Sequence, residues 1–180
     1  MEGRTRDWVR RGDRVALWAG YAELAAAGVF TAGSLGISLY TIVTRALLIP
    51  TAEWVLHLPM ELVTLASLFG AGALVAGEGH IGVDFVVDWL PRRAGAAVRG
   101  AVSAFLGALC LFFAAKGIVV TRQAAAIYLT IPEIFDLPVA IPSALSTAAF
   151  FLWALHFVWL AVHHWAGAPP QAASLAAEGT

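Results

Sequence analysis

The sequence predicts an all-α integral membrane protein. It reads as a bundle of four transmembrane helices with a short interfacial amphipathic helix after the second span, and with both ends in the cytoplasm. Three observations lead there. Of the 180 residues, 60% are hydrophobic and only 13% are charged, with a mean hydropathy of +0.79. A soluble domain carries roughly 25% charged residues. The apolar residues also come in blocks long enough to cross a hydrocarbon core of about 30 Å. Finally, the arginines sit at the edges of these blocks and more on one side than the other. That much apolar surface needs a solvent other than water.

Residues 1–14 form a basic, cytoplasmic N-terminal segment holding Arg4, Arg6, Arg10, Arg11 and Arg14. The first span follows at about 15–43 and is broken only by Glu23. At 1.5 Å per residue it would reach roughly 43 Å, so it must tilt or project from the bilayer. A cleaved signal peptide has an apolar stretch of only about 7–15 residues, so an uncleaved span is expected.

A loop from Thr44 to Pro59 carries Arg45, Glu53, Trp54 and His57, and the second span runs at about 59–77. Its charge, Glu61, is expected in the first turn, where the positive end of the helix dipole favours a carboxylate. Beyond it, His80, Asp84 and Asp88 recur every fourth residue, beside Ile81, Phe85 and Trp89. A polar and an apolar stripe side by side predict a helix lying in the membrane interface, ended by Pro91. The third span is expected at about 96–121, with Lys116 inside it and Arg122 just after. A loop with Pro132, Glu133, Asp136 and Pro138 leads to the fourth span at about 139–165, which has Pro142 in its first turn. The membrane domain thus occupies 15–167. The Ala/Pro/Ser-rich segment 168–180 is expected to be disordered.

Eight arginines fall on the side of the N-terminus and the loop between spans two and three, and two fall on the other. The positive-inside rule then places both ends and that middle loop in the cytoplasm. Trp18, Trp54, Trp89 and Trp165 lie near the expected interfaces, as amphipathic rings do.

Little chemistry is visible. A b-type haem needs two axial histidines at matching depth. Of the five histidines only His156 lies deep. His80 and Asp84 could both touch a metal, but two ligands are too few for a closed site. No G-x-S-x-G, H-E-x-x-H or P-loop occurs, and no basic face outside the short N-terminus suggests nucleic acid. The lone cysteine, Cys110, reads as a small buried hydrophobe. No cofactor, metal or catalytic residue is therefore expected.

Charges inside spans are costly and demand partners. Glu23 and His156 lie at similar depth, so a hydrogen bond between them is expected, and Lys116 could meet Glu61. A structural role is favoured over an ion path, since the chain lacks the inverted repeat usual in carriers. Small residues recur every fourth position at Gly28, Ala32 and Gly36, and at Gly100, Ala104 and Ala108. That spacing lets helix backbones approach closely, within this chain or with another.

The order of features resembles a known family. Glu53-Trp54, Glu61-Leu62, Phe69-Gly70-Ala71, His80-Ile81-Gly82-Val83-Asp84 and Leu90-Pro91 follow one another. Arg45 follows the first span, and a Pro-containing loop, Ile131-Pro132 through Pro138, precedes the fourth. This order is similar to that of the small permease (Q, or DctQ-type) subunit of tripartite ATP-independent periplasmic (TRAP) transporters, over about residues 10–167. Departures from that pattern are Met60 before Glu61, no aromatic after Arg45, and Glu78-Gly79 where an Arg is usual.

The resemblance implies a multi-pass protein of the bacterial inner membrane. It implies a small, non-catalytic scaffold subunit that stabilises a large elevator-type permease importing organic acids with sodium. A periplasmic substrate-binding protein, membrane lipids and that large subunit are the implied partners, with direct contact to the binding protein left open. Arg45, Glu61, His80 and Asp84, with Glu23 and His156, are the structural or partner-interface candidates. A membrane-anchor or haem subunit of a respiratory enzyme and a small stand-alone transporter or channel are the competing readings.

Overall fold

The computed structural model describes residues 2–76 and 89–165, with side chains for 11–76, 89–91 and 94–165. Four helices dominate it: α1 (Glu2–Ala46), α2 (Trp54–Ala76), α3 (Arg92–Ala126) and α4 (Ala140–Trp165). Each contains a segment long and apolar enough to cross a membrane, namely Arg11–Ala46, Trp54–Ala76, Ala94–Ala126 and Ala140–Trp165. The expected interfacial helix, with His80 and Asp84, lies outside the described residues, as does the segment 168–180.

Helix α1 runs 45 residues without interruption. The basic segment and the first span share one helix, because Arg is a good helix former and no proline separates them. Its charged first turns are compatible with water even where its apolar turns are not.

Helix α2 begins at Trp54 and carries Pro59 inside it, not at its start. The first turn forms through Val55 N–H to Ala52 C=O and Leu56 N–H to Glu53 C=O. A proline removes one i to i−4 bond but does not abolish a helix whose other turns are held. Tertiary contacts hold them: Trp54 stacks on Phe135, with ring centroids 5.3 Å apart. Ser34 Oγ also donates to the Pro59 carbonyl at 3.2 Å. This start corrects the placing of Glu61, which sits in the third turn of α2, beyond reach of the dipole's first-turn effect.

Helices α1 and α3 end alike. Ile49 N–H bonds Thr44 C=O and Leu48 N–H bonds Arg45 C=O; Leu129 N–H bonds Ala124 C=O and Tyr128 N–H bonds Ala125 C=O. Both are Schellman caps, which place one residue in the left-handed region. That residue is Leu48 (φ 56°) in one and Tyr128 (φ 51°) in the other, where glycine is usual. A Cβ there costs about 1 kcal/mol. The expected loop after α3 contains a two-residue antiparallel ladder, β1 (Thr130–Ile131) with β2 (Leu137–Pro138), pairing Thr130 with Pro138 and Ile131 with Leu137. A short 3-10 turn, Pro132–Ile134, joins them and buries Ile134.

Burial follows a single rule along α1 and α3. On α1 the shielded positions are Asp13, Ala16, Gly20, Glu23, Ala27, Phe30, Ser34, Ile37, Thr41 and Thr44. On α3 they are Gly100, Ser103, Gly107, Cys110, Ala114, Gly117, Thr121 and Ala124. Steps of three and four alternate, a 3.5-residue period that matches left-handed helix packing. Small and polar residues face inward, while Trp18, Val29, Leu35 and Phe105 face outward. A water-soluble helix would show the reverse.

The chain divides into two compact units. One comprises Met1–Ala22, Gly72–Phe112 and Phe151–Thr180. Its core is Val75, Cys110, Ala154 and Phe157, with Leu106, Trp153 and Leu160 packed against them. The other comprises Glu23–Ala71 and Phe113–Phe150. Aromatic contacts hold it: Phe30 with Phe69 (5.8 Å) and Phe113 with Phe150 (5.4 Å).

Candidate functional site

The first unit holds a polar cluster built on α1 and α4. Asp13 is only 4% exposed, although arginines surround it in sequence. Its side chain points inward because position 13 falls on the shielded 3.5-residue seam. The Trp159 indole N–H donates to Asp13 Oδ1 at 3.0 Å. His163 Nε2 lies 3.7 Å from the same oxygen and is itself buried. That contact becomes an ion pair when the imidazole is protonated. The approach is close because residue 12 is glycine: a Cβ there would fall inside the Trp159 ring.

Glycines set two further contacts in this way. A Cβ on Gly100 would collide with the Trp165 indole, and one on Gly117 with the Thr147 side chain. By contrast, Gly28 and Gly36 have open space around them. The stripe Gly28, Ala32 and Gly36 therefore faces away from the chain's own described residues, while the Gly100 end of the other stripe is internal.

Of the candidate residues read from sequence, Glu23, His156, Glu61 and Arg45 fall among the described residues. Glu23 and His156 are both buried, at 3% and 4% exposure. They belong to different compact units. Glu61 is half-buried in α2, and Lys116 is exposed on α3. Arg45 is exposed in the last turn of α1. His80 and Asp84 lie outside the described residues.

Sequence reasoning missed Asp13, Trp159 and His163 as a group. A signal was present: Asp13 and Glu23 fall on one seam with Ala16 and Gly20. Counting Asp13 with the basic segment hid it.

The second unit carries an apolar rim where α1 and α3 end. Leu48 is 92% exposed and Tyr128 88%. Leu47, Ile49, Ile127 and Phe135 are exposed beside them in the chain. Both cap residues tolerate a left-handed backbone while making little contact within the chain, so their side chains are available to lipid or to another subunit.

Several hydroxyls bond within their own helices: Thr31, Thr41, Thr44 and Thr147 each donate to the carbonyl four residues back. Among the described residues no three His, Cys, Asp or Glu side chains converge as a metal site.

The family model described as "Tripartite ATP-independent periplasmic transporters, DctQ component" matches residues 34–167, most of the chain. No curated protein and no solved structure shows significant similarity to it.

Proposed function

Because this chain belongs to the DctQ component family of tripartite ATP-independent periplasmic transporters, we propose that it is the scaffold that stabilises a large elevator-type permease. The transporter it serves imports organic acids with sodium across the bacterial inner membrane. The family match is the observation that carries the reading. The outward apolar faces of α1 and α3, and the inward turn of their polar residues, suit a subunit that holds its shape while lying against lipid and another membrane protein.

The small subunit sits with both ends in the cytoplasm, as the arginine distribution requires. The rim at Leu48 and Tyr128 then lies on the periplasmic side, where a substrate-binding protein approaches. Arg45, exposed at that end, and Glu61, His80 and Asp84 are interface or structural residues of this assembly. Substrate and sodium sites belong to the large subunit.

Affinity purification of the tagged chain from native membranes in mild detergent, read by mass spectrometry, tests this. Stoichiometric recovery of a much larger multi-span permease supports the scaffold reading. Recovery of the chain alone, or with redox subunits, overturns it.

A further inference from the structure

A cavity of about 400 Å3 lies between the N-terminal half of α1 and the C-terminal half of α4. All of its walls belong to the first compact unit. That volume falls in the range of small-molecule sites, about 300–1,000 Å3. Arg11, Val15 and Ala19 form one wall, and Leu152, His156 and Trp159 the other.

Gly12 meets the Trp159 ring, and Ala19 and Leu152, two turns along their helices, line the same cavity, so the two helices run antiparallel here. Arg11 and Trp159 therefore mark one end of the cavity, and Ala19 and Leu152 the other. At 1.5 Å per residue each wall runs about 10–12 Å along its helix. The lining is almost wholly apolar, and the charged residue among those that line it, Arg11, stands at the first end. Trp159, whose indole is bonded to Asp13, lies at the same end. The remaining wall is hydrocarbon from Val15, Ala19, Leu152 and Leu155, interrupted by the buried His156. Alanine at positions 16 and 19 leaves space that larger side chains would fill.

We propose that this groove binds one anionic phospholipid, with an acyl chain laid between α1 and α4 and its phosphate at Arg11. The shape is that of an amphiphile: a single charged end on an apolar shaft. An apolar cavity beside a bilayer forfeits dispersion contacts unless hydrocarbon occupies it. The charge fits as well. Arg11 is exposed at the mouth and Arg14, also exposed, follows one turn later. Asp13, the acidic residue between them, is turned inward onto Trp159 and His163. Guanidinium binds phosphate through paired, charge-assisted hydrogen bonds. A net positive mouth favours a lipid with no compensating ammonium.

Native mass spectrometry of the full chain, with whatever subunits co-purify, tests this by titration with phosphatidylglycerol and phosphatidylcholine of identical acyl chains. One phosphatidylglycerol should bind per chain with about a fivefold or greater preference. Arg11→Gln should erase the preference, while Arg122→Gln, on the other unit, should leave it intact. Val15→Trp and Ala19→Phe fill the groove at two depths and should each abolish that bound lipid; melting temperatures without lipid confirm that at least one variant is folded. Equal affinity for the two lipids, an unchanged preference in Arg11→Gln, or a retained lipid in a folded groove-filling variant overturns the proposal.

Discussion

Trp159 donates its indole N–H to Asp13 Oδ1 at 3.0 Å, across 146 residues of sequence. The bond joins the first turns of the apolar part of α1 to the last turns of α4. It keeps a carboxylate buried in a segment whose neighbours in sequence are arginines. Trp159→Phe removes this donor together with the outer edge of the indole that packs on Gly12. The variant should lose about 1–3 kcal/mol, since a buried acceptor loses a partner. Thermal unfolding in detergent measures it, and a melting temperature equal to the parent's would show that the bond contributes nothing.

Gly12 and Gly28 separate internal from outward glycines. Gly12→Leu drives a side chain into the Trp159 ring and should destabilise strongly, by several kcal/mol, as overpacking does. Gly28→Ala enters open space. It should be neutral or stabilising by up to about 1 kcal/mol, from helix propensity. Similar losses in both variants would mean that the helix phase of α1 is misassigned.

Leu48 and Tyr128 occupy cap positions that suit glycine. Leu48→Gly and Tyr128→Gly should each raise the stability of the isolated chain by up to about 1 kcal/mol. Alanine at either site should give no gain, because its Cβ meets the same clash. Chemical denaturation in mixed micelles compares the three. A loss in both glycine variants would show that these side chains pack within the chain after all.

Ser34 Oγ holds the Pro59 carbonyl at 3.2 Å. Ser34→Ala should cost about 0.5–1 kcal/mol, the size typical of interhelical hydrogen bonds in membranes. Guanidine or SDS titration followed by circular dichroism is sufficient to read it.

Cys110 is the chain's one thiol and lies in the core with Val75, Ala154 and Phe157. A membrane-permeant maleimide should label it slowly in the folded protein and fast once the first unit opens. Its labelling rate therefore reports local stability. Rapid labelling under native conditions would place the thiol on the surface and count against the packing described for α3.

The four apolar helices and the family were readable from sequence because both depend on local pattern. Block length against bilayer thickness finds a span without knowledge of its neighbours, and the order of Glu53-Trp54, Phe69-Gly70-Ala71 and Leu90-Pro91 needs no structure. The start of α2 was not readable in this way. Proline is the strongest local stop signal, and what outweighs it is the stacking of Trp54 on Phe135, far along the chain.

The sequence by itself determined the solvent of this protein: composition and block length demand a bilayer, whatever the helices touch. Only the tertiary structure decided which face of each helix is inside. In a membrane, hydrophobicity cannot mark the buried side, because lipid welcomes apolar side chains as readily as a core does. What selects the inner face is close fit and polar satisfaction. Gly12 could therefore be understood only with Trp159 against it, and Asp13 only with Trp159 and His163 at its carboxylate.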